Sequence, residues 1–243
     1  MPSTYRRVLL KISGEALAGD HHQGEHEILD RQVLVSLANS IREVLARGVE
    51  LAIVVGAGNI WRGKVAQKVG MERCNADYMG MLATIINALA LQDVLEQAGI
   101  DTRVQTELAI NEVAEPYIRR RAIRHLEKGR VLIFAGGTGS PFFSTDTAAA
   151  LKAAEINADV ILMAKNGVNG IYSADPKKDH TATMYSELSY HFILQERLAV
   201  MDATAVSLCM ENGMEVVVFN MADPSNILRI LDGEAIGTRI RKE

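Results

Sequence analysis

The sequence predicts an α/β protein, a three-layer α/β/α sandwich forming one domain over residues 1–243 around a largely parallel central sheet. Three observations carry this expectation. Short β-branched runs alternate with longer amphipathic segments along the chain. The helical stretches between the runs are long enough for parallel crossovers, which place helices on both faces of the sheet. Finally, 243 residues with 48% hydrophobic and 23% charged can bury a sizeable core within one α/β unit.

Val8-Leu9-Leu10-Lys11-Ile12 reads as the first buried strand. A helix follows after residue 30: Asp30 can cap its start, Leu34, Leu37, Ile41, Val44 and Leu45 share one face, and Gly48 can end it. Leu51 to Val55 is a second strand, running into Gly56-Ala57-Gly58-Asn59. Residues 75–98 give the longest helical pattern, apolar at Met79, Leu82, Ile86, Leu89 and Val94, with Gly99 just beyond. Further strands are expected at 102–106, 131–135, 159–163 and 215–219, and helices near 116–128, 144–157, 199–212 and 224–232. Two stretches lack periodicity and are expected as surface loops. Residues 18–27 are rich in His, Gly and acid, and in 166–198 Gly, Asn, Asp and Pro suggest turns and a hairpin.

A net charge of −4 and a pI near 5.9 lack the positive footprint of a dedicated nucleic-acid binder. Cys74 and Cys209 cannot build a disulfide framework, and neither has a partner at metal-ligand spacing, so a reducing cytoplasm is the expected compartment. The apolar run near the N-terminus is too short for a signal or a membrane span, and no membrane association is expected.

Open α/β sheets bind ligands beyond the carboxyl ends of their strands. Three such ends here are rich in Gly, Ser or Thr: Lys11-Ile12-Ser13-Gly14-Glu15, Gly56-Ala57-Gly58-Asn59, and Gly136-Gly137-Thr138-Gly139-Ser140-Pro141. Glycine lets backbone N–H groups approach phosphate oxygens, and a helix N-terminus adds a favourable dipole. One such cluster is often just a tight turn; three in register point to a phosphate ligand. Gly58 to Lys64 has the spacing of a Walker A loop, but Val65 stands where the Mg²⁺-binding hydroxyl is required. Nor is a dinucleotide fingerprint completed, because Trp61 occupies the place of the third glycine.

Five longer motifs extend these ends. They are Leu10 to Leu17; Gly56 through Asn59 to Arg62-Gly63; Asp77 to Thr84; Gly137 to Asp146; and Lys165 to Pro176. Together they resemble the amino-acid-kinase superfamily over essentially the whole chain and, within it, the bacterial UMP kinases. The resemblance implies transfer of a phosphoryl group from ATP to UMP, giving UDP and ADP for pyrimidine nucleotide and CTP synthesis. It implies Mg²⁺ carried by ATP, no tightly bound cofactor, and a homohexamer for which GTP activation and UTP inhibition are the regulation to look for.

Residue by residue, the resemblance implies a donor site in which Lys11, Ile12, Ser13 and Gly14 meet the ATP phosphates, with Gly58 and Arg62 alongside. Asn166, Tyr172 and Asp175 would hold the adenosine end. The acceptor site would use Gly56, Ala57, Arg62, Asp77 and the run Thr138, Gly139, Ser140, Pro141, Phe142, Phe143, Ser144 and Thr145. Lys11, Arg62 and Asp202 would be the catalytic set, with Asp202 orienting Lys11.

These assignments suit the chemistry, because phosphoryl transfer asks mainly for positioning and for charge against the phosphate oxygens. Lys11 is a cation at a strand end, and Arg62 offers a fork for a phosphate. Asp202 falls in an apolar helical segment, where a lone buried carboxylate is costly unless paired. Plainer readings remain open: Asp77 as a residue favouring a helix start, Asp202 on a solvated face, and Trp61 as packing. His21, His22 and His26 read as surface residues, and Cys74 and Cys209 as small buried apolar ones.

The chain also departs from the family pattern. Ala57 replaces a common glycine, which requires negative φ there; Ser140 stands where Asn is frequent, and Asn169 where Asp is. The 18–27 loop lacks the Gly-Phe-Gly-Ile-Asp-like run that accompanies GTP regulation. Two alternatives share the fold, an acylphosphate-forming kinase and a non-catalytic ATP-binding storage protein.

Overall fold

The apolar run Arg7–Ile12 (β1) lies in the middle of a nine-stranded sheet. The computed structural model describes residues 3–18, 27–176, 178–198 and 200–242, with every side chain there except those of Lys64 and Gln67. Residues 19–26, with His21, His22 and His26, lie outside the described residues. The other strands are β2 (Glu50–Val55), β3 (Thr102–Thr106), β4 (Glu115–Pro116), β5 (Val131–Ala135), β6 (Val160–Lys165), β7 (Glu187–Ser189), β8 (Glu215–Asn220) and β9 (Thr238–Arg241). Their order is β4-β3-β5-β2-β1-β6-β8-β9-β7, and every neighbouring pair is parallel except β8 with β9.

The helices are α1 (Arg31–Ala46), α2 (Gly63–Lys68), α3 (Arg73–Gln97), α4 (Arg119–Glu127), α5 (Thr145–Ile156), α6 (Tyr190–Gln195), α7 (Ala203–Glu211) and α8 (Asn226–Leu231). Alternation along each strand sends its side chains to two cores. Val8, Leu10 and Ile12 pack with Leu37 and Ile41 of α1, Leu91 of α3 and Ile227 of α8. Leu9, Leu132 and Phe134 pack on the opposite face with Leu126 of α4, Ala149 of α5, Ile193 of α6 and Val206 of α7. The expected three layers are present.

Local signals explain most boundaries. Asp30 caps α1, accepting from the amides of Gln32 at 2.7 Å and Val33 at 3.1 Å. Gly48, with φ of 78°, follows that helix as a left-handed stop. Residues 199–212 differ from expectation: the helix starts at Ala203, and Asp202 is its cap rather than an interior residue. In 166–198 the bridge between Tyr172 and Met184 is antiparallel, as a hairpin would be, but β7 pairs in parallel with β9. Cys209 is buried and Cys74 only half-buried.

Helix α3 is long and apolar enough to cross a membrane by length and composition alone. Its inner face carries Ile85, Ala88, Leu91 and Leu95 into the core formed with β2, β3 and β5, which is the behaviour of a core helix.

Candidate active site

The carboxyl ends of β1, β2, β5 and β6 lie side by side, with Lys11 opposite Val54 on one neighbour and Met163 on the other. Two of the glycine-rich ends pack backbone to backbone. A Cβ on Gly14 would lie 2.6 Å from the Gly58 amide nitrogen, and one on Gly56 would lie 3.1 Å from the Gly14 nitrogen, so only glycine allows this approach. Asn87 of α3, fully buried, fixes the second loop: its amide donates to the Gly56 carbonyl and to Asn59 Oδ1, both at 2.8 Å. The third loop is tied to the same helix, where Thr84 Oγ1 accepts from the Gly136 amide at 2.9 Å. Ala57 does not adopt positive φ, as its replacement of glycine requires.

A cavity of about 300 Å³ opens between these loops. Ala57, Gly58, Asp77, Thr138, Phe143, Ser144 and Thr145 line it, together with Trp61, Met81 and Thr84. Trp61 also packs, its indole N–H donating to the Ala76 carbonyl at 2.9 Å. Asp77 is not a helix cap. Its Oδ2 accepts from the Phe142 amide at 2.8 Å and pairs with Arg73 at 3.6 Å, and the Arg73 guanidinium stacks 4.9 Å from the Phe142 ring. Phe142 has φ of 74°, a conformation non-glycine residues avoid, so this clamp holds the loop in a strained turn. Thr138 Oγ1 bonds both the carbonyl and the amide of Ser140, folding the loop on itself. Arg62 donates from Nε to the Gly58 carbonyl at 2.9 Å, and its outer nitrogen lies 3.6 Å from Glu15. More than half of that side chain is exposed.

A second cavity, of about 460 Å³, has Tyr172, Asp175 and Lys165 in its wall. Asn166 is not with them; it lines a third cavity of about 270 Å³ beside Glu15 and Met221. Ser13, two residues after Lys11, has a buried Oγ without a hydrogen-bond partner among the described residues, a hydroxyl left available to a ligand oxygen.

Lys11 is almost fully buried, and its Nζ lies 2.8 Å from Asp146 Oδ1. The carboxylate that pairs with Lys11 is thus Asp146, in the first turn of α5. Lys165, from the end of β6, lies 3.8 Å from the other Asp146 oxygen and donates to the Val200 carbonyl at 2.8 Å. Burial lowers the Lys165 pKa, attraction to Asp146 opposes that, and the Lys11 charge adds to the lowering. Asp202 instead accepts from the hydroxyls of Ser144 and Thr147 and from the Ala205 amide, tying α5 to α7. Burial pushes its carboxyl up, but the hydrogen bonds from Ser144, Ala205 and Thr147 outweigh this and hold it below the usual aspartate range.

Ser144 in turn caps α5 through the amides of Asp146 and Thr147, at 3.0 and 3.1 Å. The Lys11–Asp146–Lys165 group therefore sits between the cavity that reaches Ser144 and Thr145 and the one that reaches Lys165. Two ammonium groups around one carboxylate, beside a 12-residue helix N-terminus, make a preorganised site for phosphoryl oxygens.

Residues 6–220 match the profile of the amino acid kinase family. Among solved structures, the crystal structure of UMP kinase from Bacillus anthracis superposes with a TM-score of 0.93 at 41% identity, covering 100% of this chain and 98% of that one. The UMP kinase of Ureaplasma parvum gives 0.91 at 37% identity, covering 98% of this chain and 99% of that chain. The uridylate kinase of Archaeoglobus fulgidus gives 0.73 at 29% identity, covering 96% and 99%.

Proposed function

We propose that this chain, which belongs to the amino acid kinase family, transfers the γ-phosphoryl group of ATP to UMP, forming UDP and ADP. The observation that carries the reading is the Lys11–Asp146–Lys165 group between two cavities, one suited to each nucleotide. The likeness to UMP kinases over nearly all of both chains supplies the acceptor's identity.

The family likeness and the two cavities support the following residue roles. The acceptor phosphate meets Arg62 and the α5 N-terminus at Ser144 and Thr145, and the base lies along the 138–141 loop. On the donor side Lys11, Ser13 and the Gly14 and Gly58 backbone meet the phosphates, with Tyr172 and Asp175 toward the adenosine and Asn166 at its margin. Lys11 and Lys165 neutralise charge on the transferred group, and Asp146 keeps both ammonium groups in place. Mg²⁺ arrives with ATP as part of the substrate. Glu15 marks where Arg62 rests before a phosphate replaces it.

The enzyme acts as a homo-oligomer, a hexamer by its likeness to the family, in the cytoplasm and in pyrimidine nucleotide synthesis. GTP and UTP are the effectors to test. A coupled ADP-release assay with UMP, CMP, dUMP, carbamate and amino acids as acceptors tests the reading. UMP should be preferred over CMP by at least about 100-fold in kcat/KM, because two mismatched base groups each cost about 1–3 kcal/mol. Turnover of carbamate or an amino acid in place of UMP would refute it, as would binding of ATP with no acceptor turned over.

A further inference from the structure

We propose that Lys152 is a positioning residue for the acceptor base, its buried ammonium fixing the loop on which the Gly136–Ser140 segment leans; this rests on the acceptor reading above. Lys152 is 1% exposed and is the one fully buried charged residue of α5, otherwise rich in alanine. An ammonium so placed is costly unless compensated. Its Nζ bonds Glu155 at 2.8 Å and Glu107, and it lies 3.3 Å from the centroid of the Tyr117 ring.

Glu155 is one turn along the same helix, so that bond is local. Glu107 and Tyr117 come from elsewhere, the first directly after β3 and the second directly after β4. The segment around Glu107 backs the base loop. A Cβ on Gly139 would lie 2.9 Å from Glu107 Cβ, and one on Gly136 would lie 2.6 Å from Thr106 Oγ1. Thr106 also accepts from the Leu108 amide at 3.1 Å, and its carbonyl from the Tyr117 amide at 3.0 Å.

The Glu107 side chain is partly open to solvent, so without Lys152 it has no reason to stay turned inward. Helix α5 begins at the residues that meet the acceptor phosphate, and its buried lysine holds the segment that backs the base. Lys152 therefore sets the spacing between the two ends of the acceptor site. A buried ion pair can also serve stability alone. The two roles differ in what they do to the substrates.

Steady-state kinetics for UMP, CMP and ATP on Lys152→Met, Lys152→Arg and Glu107→Ala separate them. Glu107→Ala keeps the Cβ that Gly139 packs against and removes only the ion pair, and its partly exposed position lets it serve where Lys152→Met does not fold. In Lys152→Met and Glu107→Ala the KM for UMP should rise about tenfold, within the loss that a displacement under 1 Å can cause. The KM for ATP should stay within about twofold, the preference for UMP over CMP should narrow, and Lys152→Arg should restore both. An unchanged KM for UMP and unchanged base preference in folded Glu107→Ala, whatever its Tm, overturns the proposal, as do equal rises for ATP and UMP. If the unmodified enzyme turns over no UMP, the functional reading itself has failed before any variant is compared.

Discussion

Asp146 attracts two ammonium groups with one carboxylate, at 2.8 Å to Lys11 and 3.8 Å to Lys165, and this fixes what each substitution should do. Lys11→Ala removes the buried charge that the proposed mechanism sets against the reacting phosphate. Its kcat should fall at least about 100-fold, the scale of losing one preorganised contact, and near-normal kcat in a folded Lys11→Ala protein would remove this mechanism. Asp146→Asn keeps the shape but leaves two like charges facing each other, so kcat should fall with the fold intact, read by circular dichroism beside the kinetics. Asp202 belongs to a different experiment, because it joins α5 to α7 and its carboxyl is held below the usual aspartate range. A depressed carboxyl pKa stabilises the fold above the unfolded-state value, near 3.8, and that contribution is lost as pH falls through the folded value. Asp202→Asn should therefore be less stable than the unmodified protein at neutral pH in urea melts, with the gap closing in acid; a gap constant down to pH 3 contradicts this assignment. Lys11 could be read from the sequence as a cation at a strand end. Asp146 closed one motif and Lys165 opened another, but neither showed a role, since they meet only once β1, β6 and α5 are assembled. Asp202 was misplaced because the apolar run after it hid an ordinary N-cap.

Helix boundaries carry the next set of consequences, because caps are local and separable from chemistry. Asp30 bonds two orphan amides of α1 and touches neither nucleotide cavity. Asp30→Ala should cost about 1 kcal/mol of stability with KM for both substrates unchanged, checked by chemical denaturation and steady-state kinetics. Ser144→Ala removes an equivalent cap from α5 together with the bond to Asp202, and should add a rise in the KM for UMP to a similar stability loss. If the two variants changed KM alike, the α5 terminus would have no special place in the acceptor site. The long buried strands were legible to within two residues, since parallel strands covered on both faces read as continuous apolar runs. What escaped was short. The two residues of β4, the three of β7 and the six of α2 have no period to detect, and β9 exists through pairing with β8 and β7. The third glycine-rich loop was legible as a cluster, but not its fastening to Thr84, which needs α3 in place.

Across the whole molecule, α3 is the element with too much apolar surface. Its inner face fills the core, yet Tyr78, Leu82 and Ile86, one turn apart, remain exposed beside Met79. An apolar stripe opposite an already buried face needs cover, and a second copy of this chain supplies it at no change in composition. A membrane would cover it too, but the neighbouring Asp77 and Gly80 line the cavity proposed for the acceptor on the same stretch of helix. Light scattering in detergent-free buffer should give a mass well above the 26.5 kDa of one chain, and Leu82→Arg with Ile86→Arg should lower it. A monomer at micromolar concentration, or aggregation relieved only by detergent, contradicts the assembly. The same helix would join such an assembly to the proposed acceptor site: Tyr78 and Leu82 alternate with Asp77 and Met81, which line that cavity. Loosening the exposed stripe should therefore shift Asp77, whose carboxylate holds the strained Phe142 turn, and leave Tyr172 and Asp175 undisturbed. The double variant should raise the KM for UMP several-fold more than that for ATP, and a dissociated protein with both values unchanged would show that α3 bears the interface without setting the acceptor site.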